Sequence, residues 1–102
     1  MQQFKVYSVR DSKAETYNRP WMSQTKGMAI RIFTDEVNNV ESYFNKHPED
    51  FSLYELGSWD DKSGLYKSYP EPTFIGKAID FVNNPTGTNT PSAPTRIPGK
   101  TA

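Results

Sequence analysis

From Asn83 onward the sequence reads NNPTGTNTPSAPTRIPGKTA, rich in Pro, Thr, Gly, Asn and Ser and nearly free of apolar side chains. A segment of that composition cannot bury enough surface to offset the entropy of ordering it. The fold must therefore come from residues 1–82, with 83–102 a flexible tail that is disordered in isolation. Hydrophobic residues make up 34% of the chain, a low share, but much of the shortfall sits in the tail. Aromatic residues make up 14%, and each can bury about 150–250 Å², so a single modest core is within reach. A body of this size is marginally stable unless it pairs with something, and a homodimer is the expected remedy.

Phe4 to Val9 alternates as a strand with apolar residues on both faces, which predicts a central strand covered on both sides. Ala14 to Ser23 reads as irregular, with a turn at Asn18-Arg19-Pro20. Ser23 or Thr25 caps a helix running to about Asn38, its apolar stripe being Ala29, Phe33, Val37 and Val40. Tyr43 and Phe44 open a short aromatic segment, which His47-Pro48 ends. Phe51 to Trp59 is a second strand, and Asp60 to Gly64 a five-residue hairpin loop. Leu65 to Tyr69 is a third strand, stopped by Pro70 and Pro72. Thr73 caps a second helix, in which Ile75, Ala78, Ile79 and Val82 follow i, i+3, i+4, i+7 spacing. The expected class is α+β, in the order β-α-β-β-α, with two helices packed on a small three-stranded sheet.

Little in this sequence can carry bond chemistry. With no cysteine there is no disulfide, thiolate nucleophile or cysteine-ligated zinc. The single histidine, His47, builds no histidine metal cluster, and the turn His47-Pro48-Glu49-Asp50 reads as a shaped entry to the second strand. Asp60-Asp61 with Ser63-Gly64 lacks the spacing of a calcium loop and reads as a solvated turn. Glu55 and Lys67 are placed to pair across the hairpin. The scattered glycines form no phosphate-binding loop, and neither HExxH nor GxSxG occurs. No catalytic residue, metal site or cofactor is assigned, and an enzyme is not expected. The N-terminus MQQFKVYSVRD lacks the apolar run of a signal peptide, and no stretch approaches the ~20 apolar residues of a membrane helix. The expectation is a soluble protein that stays where it is made.

Charge is balanced, with 12 basic and 12 acidic residues. Residues 1–82 hold ten basic and twelve acidic side chains, a body near −2, and the tail adds Arg96 and Lys100. That argues against a charge-driven DNA coat but leaves room for a local basic face. The suggestive cluster is Arg10, Lys13, Tyr17, Arg19, Trp21 and Lys26. Cations that hold phosphates and rings that stack on bases are the two groups that single-stranded nucleic acid needs. The competing reading has Tyr17 and Trp21 packed on the core and the cations merely solvated. Tyr54, Trp59, Tyr66 and Tyr69 on the hairpin either extend such a surface or belong to the core.

VYSVRDSKAETYNRP, the helix after it, HPEDFSLYELGSWDDKSG and PTFIGKAIDFV together resemble the small nonstructural protein of gokushoviruses, single-stranded-DNA phages of the microvirus group. The resemblance covers about residues 4–82, and Arg10-Asp11-x-Lys13-Ala14 and the run His47 to Gly57 are its specific parts. It implies a DNA-binding protein, with single-stranded DNA as the partner, acting when replication turns from double-stranded copying to single-stranded genome synthesis and packaging. It places the protein in the host bacterial cytoplasm and outside the mature virion. The alternative is a protein–protein adaptor that binds a phage replication or procapsid protein without touching DNA.

Overall fold

The computed structural model describes residues 3–83. The expected tail, 83–102, lies outside the described residues apart from Asn83. Five strands form one antiparallel sheet: β1 (Gln3–Asp11), β2 (Thr16–Tyr17), β3 (Trp21–Ser23), β4 (Phe51–Asp60) and β5 (Tyr66–Lys77). Between β3 and β4 come helix α1 (Lys26–Val37), the single-turn α2 (Tyr43–Lys46) and a 3-10 turn at Pro48–Asp50. A last 3-10 turn spans Ala78–Phe81.

The expected three-stranded sheet with two helices is therefore corrected to a five-stranded, mostly β architecture with one helix of real length. The sheet order is β2-β1-β4-β5, and β3 joins the edge of β1 beside β2. β1 is central, as its two apolar faces suggest, but among the described residues helix covers only one of those faces. The stretch expected to be irregular supplies β2 and β3. They are pinned there by the Asn18 amide donating to the Val9 carbonyl at 2.8 Å and by the Ser8 hydroxyl donating to the Asn18 carbonyl at 2.6 Å.

The end of the body is strand rather than the expected second helix. Proline removes a ladder donor, which is why Pro70 and Pro72 read as a stop. They are tolerated because β5 is an edge strand, and because the register jumps from Glu55↔Thr73 to Gly57↔Ser68, which leaves the stretch Tyr69 to Pro72 outside regular pairing. Thr73 and Phe74 then pair with Glu55 and Tyr54, so the backbone groups a second helix would use are committed to the sheet. The apolar spacing that suggested a helix is used differently: Ala78 is fully buried, Ile79 is 46% exposed, and Gly76 lets the Phe81 ring close over the strand.

α1 forms where the sequence predicts it. The Thr25 hydroxyl accepts the Met28 amide proton at 3.1 Å, satisfying one of the free N–H groups of the first turn. Ala29, Phe33 and Val37 are buried with Tyr7, Val9, Leu53 and Phe51, and at the margin Phe44 meets Phe33 at a tilt and Phe81 meets it edge-on. Val40, expected on that stripe, lies past the helix and is exposed. Asn38 ties the chain's last described segment to the helix end. Its amide donates to the carbonyls of Thr34 (2.9 Å) and Phe81 (3.0 Å), and its Oδ1 accepts from the Asn83 amide at 2.7 Å.

Candidate nucleic-acid interface

Alternate residues of a strand share a face, and residues paired across antiparallel strands lie on the same side. The register therefore sorts the sheet into rows. On the helix side run Val9–Leu53–Gly76 and Trp21–Tyr7–Glu55–Thr73. On the opposite, open side the first row is Tyr17–Arg10–Ser52–Lys77 and the second Ser8–Tyr54–Phe74. The third is Met22–Val6–Gly57–Ser68 and the fourth Phe4–Trp59–Tyr66.

The open side is aromatic at two places. Tyr17 meets Tyr54 edge-on with centroids 5.5 Å apart, and Tyr54 meets Phe74 edge-on at 5.6 Å. Farther along, Phe4, Trp59 and Tyr66 form a tilted series at 5.8 and 6.3 Å. These separations fall in the favourable range for ring pairs. They hold the rings in place while leaving Tyr17 41%, Phe74 54% and Tyr66 66% exposed. Large exposed rings grouped on one face are the informative kind of surface hydrophobicity. Arg10 and Lys77 stand in the first row, and no paired position of this face carries a carboxylate. The carboxylates of the paired ladder, Asp11, Glu55 and Asp60, all alternate to the helix side. The near-zero charge of the chain is thus unevenly divided between the two faces.

A β-bulge produces this arrangement. Simple alternation along β4 groups Leu53 with Trp59 and opposes both to Tyr54. The register instead jumps between Val6↔Gly57 and Tyr7↔Glu55, so Leu56 is an extra residue and the phase of β4 changes there. Leu53 faces the helix, while Trp59 joins Tyr54 on the open side. Gly57 is the trace of this in the sequence, since glycine inside a strand often marks a bulge or a close backbone approach. A Cβ at Gly57 would lie 2.3 Å from the Lys67 carbonyl oxygen.

The six sequence-predicted residues are spread over several places. Arg10 and Tyr17 lie on the open face, paired with each other. Trp21 lies on the helix side, half-buried, its ring 6.1 Å from that of Tyr7. With the exposed Arg19 it borders a cleft of about 320 Å³ beside Ile32 and Phe44 of the helical layer. Lys13 sits in the β1–β2 turn, where the Asp11 carboxylate accepts its amide proton at 2.9 Å and that of Ala14 at 3.2 Å. Lys26 is the exposed first residue of α1. Of the hairpin aromatics, Tyr54, Trp59 and Tyr66 line the open face. Tyr69 instead donates its hydroxyl to the Glu55 carboxylate. Glu55 does not face Lys67, which pairs with Ser58.

His47, Glu49 and Asp50 bring potential ligand atoms within 4.8 Å of one another, and His47 and Asp50 line a cleft together with Asp11 and Lys13. The turn itself is held by main chain: the Asp50 amide donates to the His47 carbonyl, and the Asp50 carbonyl accepts from Ser12.

The family model described as Phage ORF5 protein matches residues 4–81, which is nearly all of the described fold. The chain belongs to the phage ORF5 protein family. No curated protein and no solved structure matches it. No helix among the described residues of this family member is long and apolar enough to cross a membrane.

Proposed function

We propose that this phage accessory protein binds single-stranded DNA on the open face of its sheet. The observation that carries the reading is the composition of that face: grouped, exposed rings, Arg10 and Lys77 beside them, and no carboxylate at any paired position. Each base stacked on an aromatic side chain contributes about 1–3 kcal/mol with little sequence preference. Phosphates are drawn by the cations at the first row. A duplex hides its base faces, so a ring-lined sheet favours single strands. Following the gokushovirus resemblance, the role is in single-stranded genome synthesis and packaging in the host cytoplasm, outside the virion, and a homodimer would double the binding surface. The adaptor reading draws support from the zero net charge and from β5, whose outer edge has no neighbouring strand among the described residues.

Fluorescence anisotropy with labelled single- and double-stranded DNA of equal length, from low to physiological salt, separates the two. The proposal expects single strands to bind more tightly, and Tyr54→Ala with Phe74→Ala to weaken binding by a factor of ten or more. With Arg10 and Lys77 the main cations on the face, the logarithm of affinity should fall with the logarithm of salt by only about 0.7 per neutralised phosphate. Failure to bind either DNA at low salt would discard direct contact and put the adaptor first.

A further inference from the structure

The third row of the open face differs from its neighbours. Rows on one face of a strand are about 7 Å apart. Between the aromatic second and fourth rows lies the third, which carries Met22 at its β3 end but only Val6, Gly57 and Ser68 across β1, β4 and β5. The result is a recess of about 300 Å³, bordered by Val6, Pro20, Leu56, Tyr66 and Ser68 and floored at Gly57. That volume is at the small end of ligand cavities and suits one compact planar group. The bare floor is imposed by the backbone, because any side chain at Gly57 would collide with the Lys67 carbonyl. Tyr66, which ends the fourth row, is also one wall of the recess, so its ring serves both.

We propose that the recess seats a single nucleobase, the one between the base stacked at Tyr54–Phe74 and the base stacked at Trp59–Tyr66. This rests on the single-strand-binding reading above and specifies its central position. A base there lies edge-in against Val6, with Tyr66 beside its face. The Ser68 hydroxyl and the Lys67 main chain offer polar partners to its edge. The ligand class is therefore a nucleobase of a single strand, held by shape at one position and by open stacking on either side.

Ser68 is exposed on the edge strand, so Ser68→Phe fills the recess from its rim, and Ser68→Leu is a smaller filling if the first variant does not fold. The probes are a labelled oligothymidine of about 12 nucleotides and an abasic phosphodiester strand of the same length. The expected result is that the wild type prefers the thymidine strand. Filling the recess should cost that strand about tenfold in affinity, within the worth of one stacked base, and leave the abasic strand unaffected. Equal losses on both strands, or no loss on either, would overturn the seat while leaving strand binding standing. A folded wild type that binds neither strand would overturn the reading beneath it as well.

Discussion

Glu55 joins two tyrosines on the helix side of the sheet. The Tyr69 hydroxyl donates to its carboxylate, and that hydrogen bond, followed by burial and the nearby charges of Glu55 and Tyr7, pushes the Tyr69 pKa up to about 12. Tyr7 is likewise raised to about 12, by burial first and then by Glu55. An unfolded tyrosine titrates near 10. The folded state thus holds these protons more tightly, so stability is unaffected by them below pH 10 and falls as pH rises toward 12. Following phenolate absorbance against pH should show Tyr7 and Tyr69 titrating near 12. Glu55→Gln should move Tyr69 back toward 10 and leave Tyr7 raised by its burial. Among the described residues the Tyr7 hydroxyl is buried with no hydrogen-bond partner, as is Trp21 Nε1. A buried unpaired donor is costly, so Tyr7→Phe should raise the urea midpoint, by about 1 kcal/mol of stability. Gly57→Ala should do the opposite. Its methyl group meets the Lys67 carbonyl at 2.3 Å, and the β4–β5 ladder must yield at a cost of about 1–3 kcal/mol.

At the scale of elements, the sequence is legible where the signals are local. Thr25 caps α1, Ala29, Phe33 and Val37 form its buried stripe, and Gly64, at φ +76°, closes the hairpin where a left-handed residue is needed. What was not legible depends on partners distant in sequence. β2 and β3 are too short to show alternation and exist because β1 offers them an edge. Pro70 and Pro72 look like a stop until the irregular pairing of β5 takes them out of the ladder. The stripe from Ile75 to Val82 fits helical spacing, yet pairing of Thr73 and Phe74 to β4 takes precedence over it. The candidate site shows the same division. Arg10 and Tyr17, grouped in the sequence by a local basic and aromatic run, do lie paired on the open face. Trp59 and Tyr54 could be joined only by knowing that Leu56 shifts the phase of β4. The clip at Asn38 is also long-range. Asn38→Ala removes its bonds to Phe81 and Asn83, and should cost about 1–3 kcal/mol and speed amide exchange over residues 78–83 while α1 stays protected.

For the molecule as a whole, the fold gives its two sheet faces different tasks. One face, with α1, Phe44 and Phe81, makes the core of a small domain. The other keeps its rings in the open and its paired positions free of carboxylates, although the chain carries no net charge. Under the proposed reading, this division would let a neutral protein hold an anionic strand, with stacking supplying most of the affinity and local cations the rest. The most direct test is a chemical-shift map of the isotope-labelled protein on titration with a short oligothymidine. If strands bind the open face, the largest shifts fall on Tyr17, Tyr54, Trp59, Tyr66 and Phe74, with the exposed face of α1 unmoved. Shifts centred on Arg19, Ile32 and Glu36 of the helix-side cleft, with the five rings silent, would contradict it.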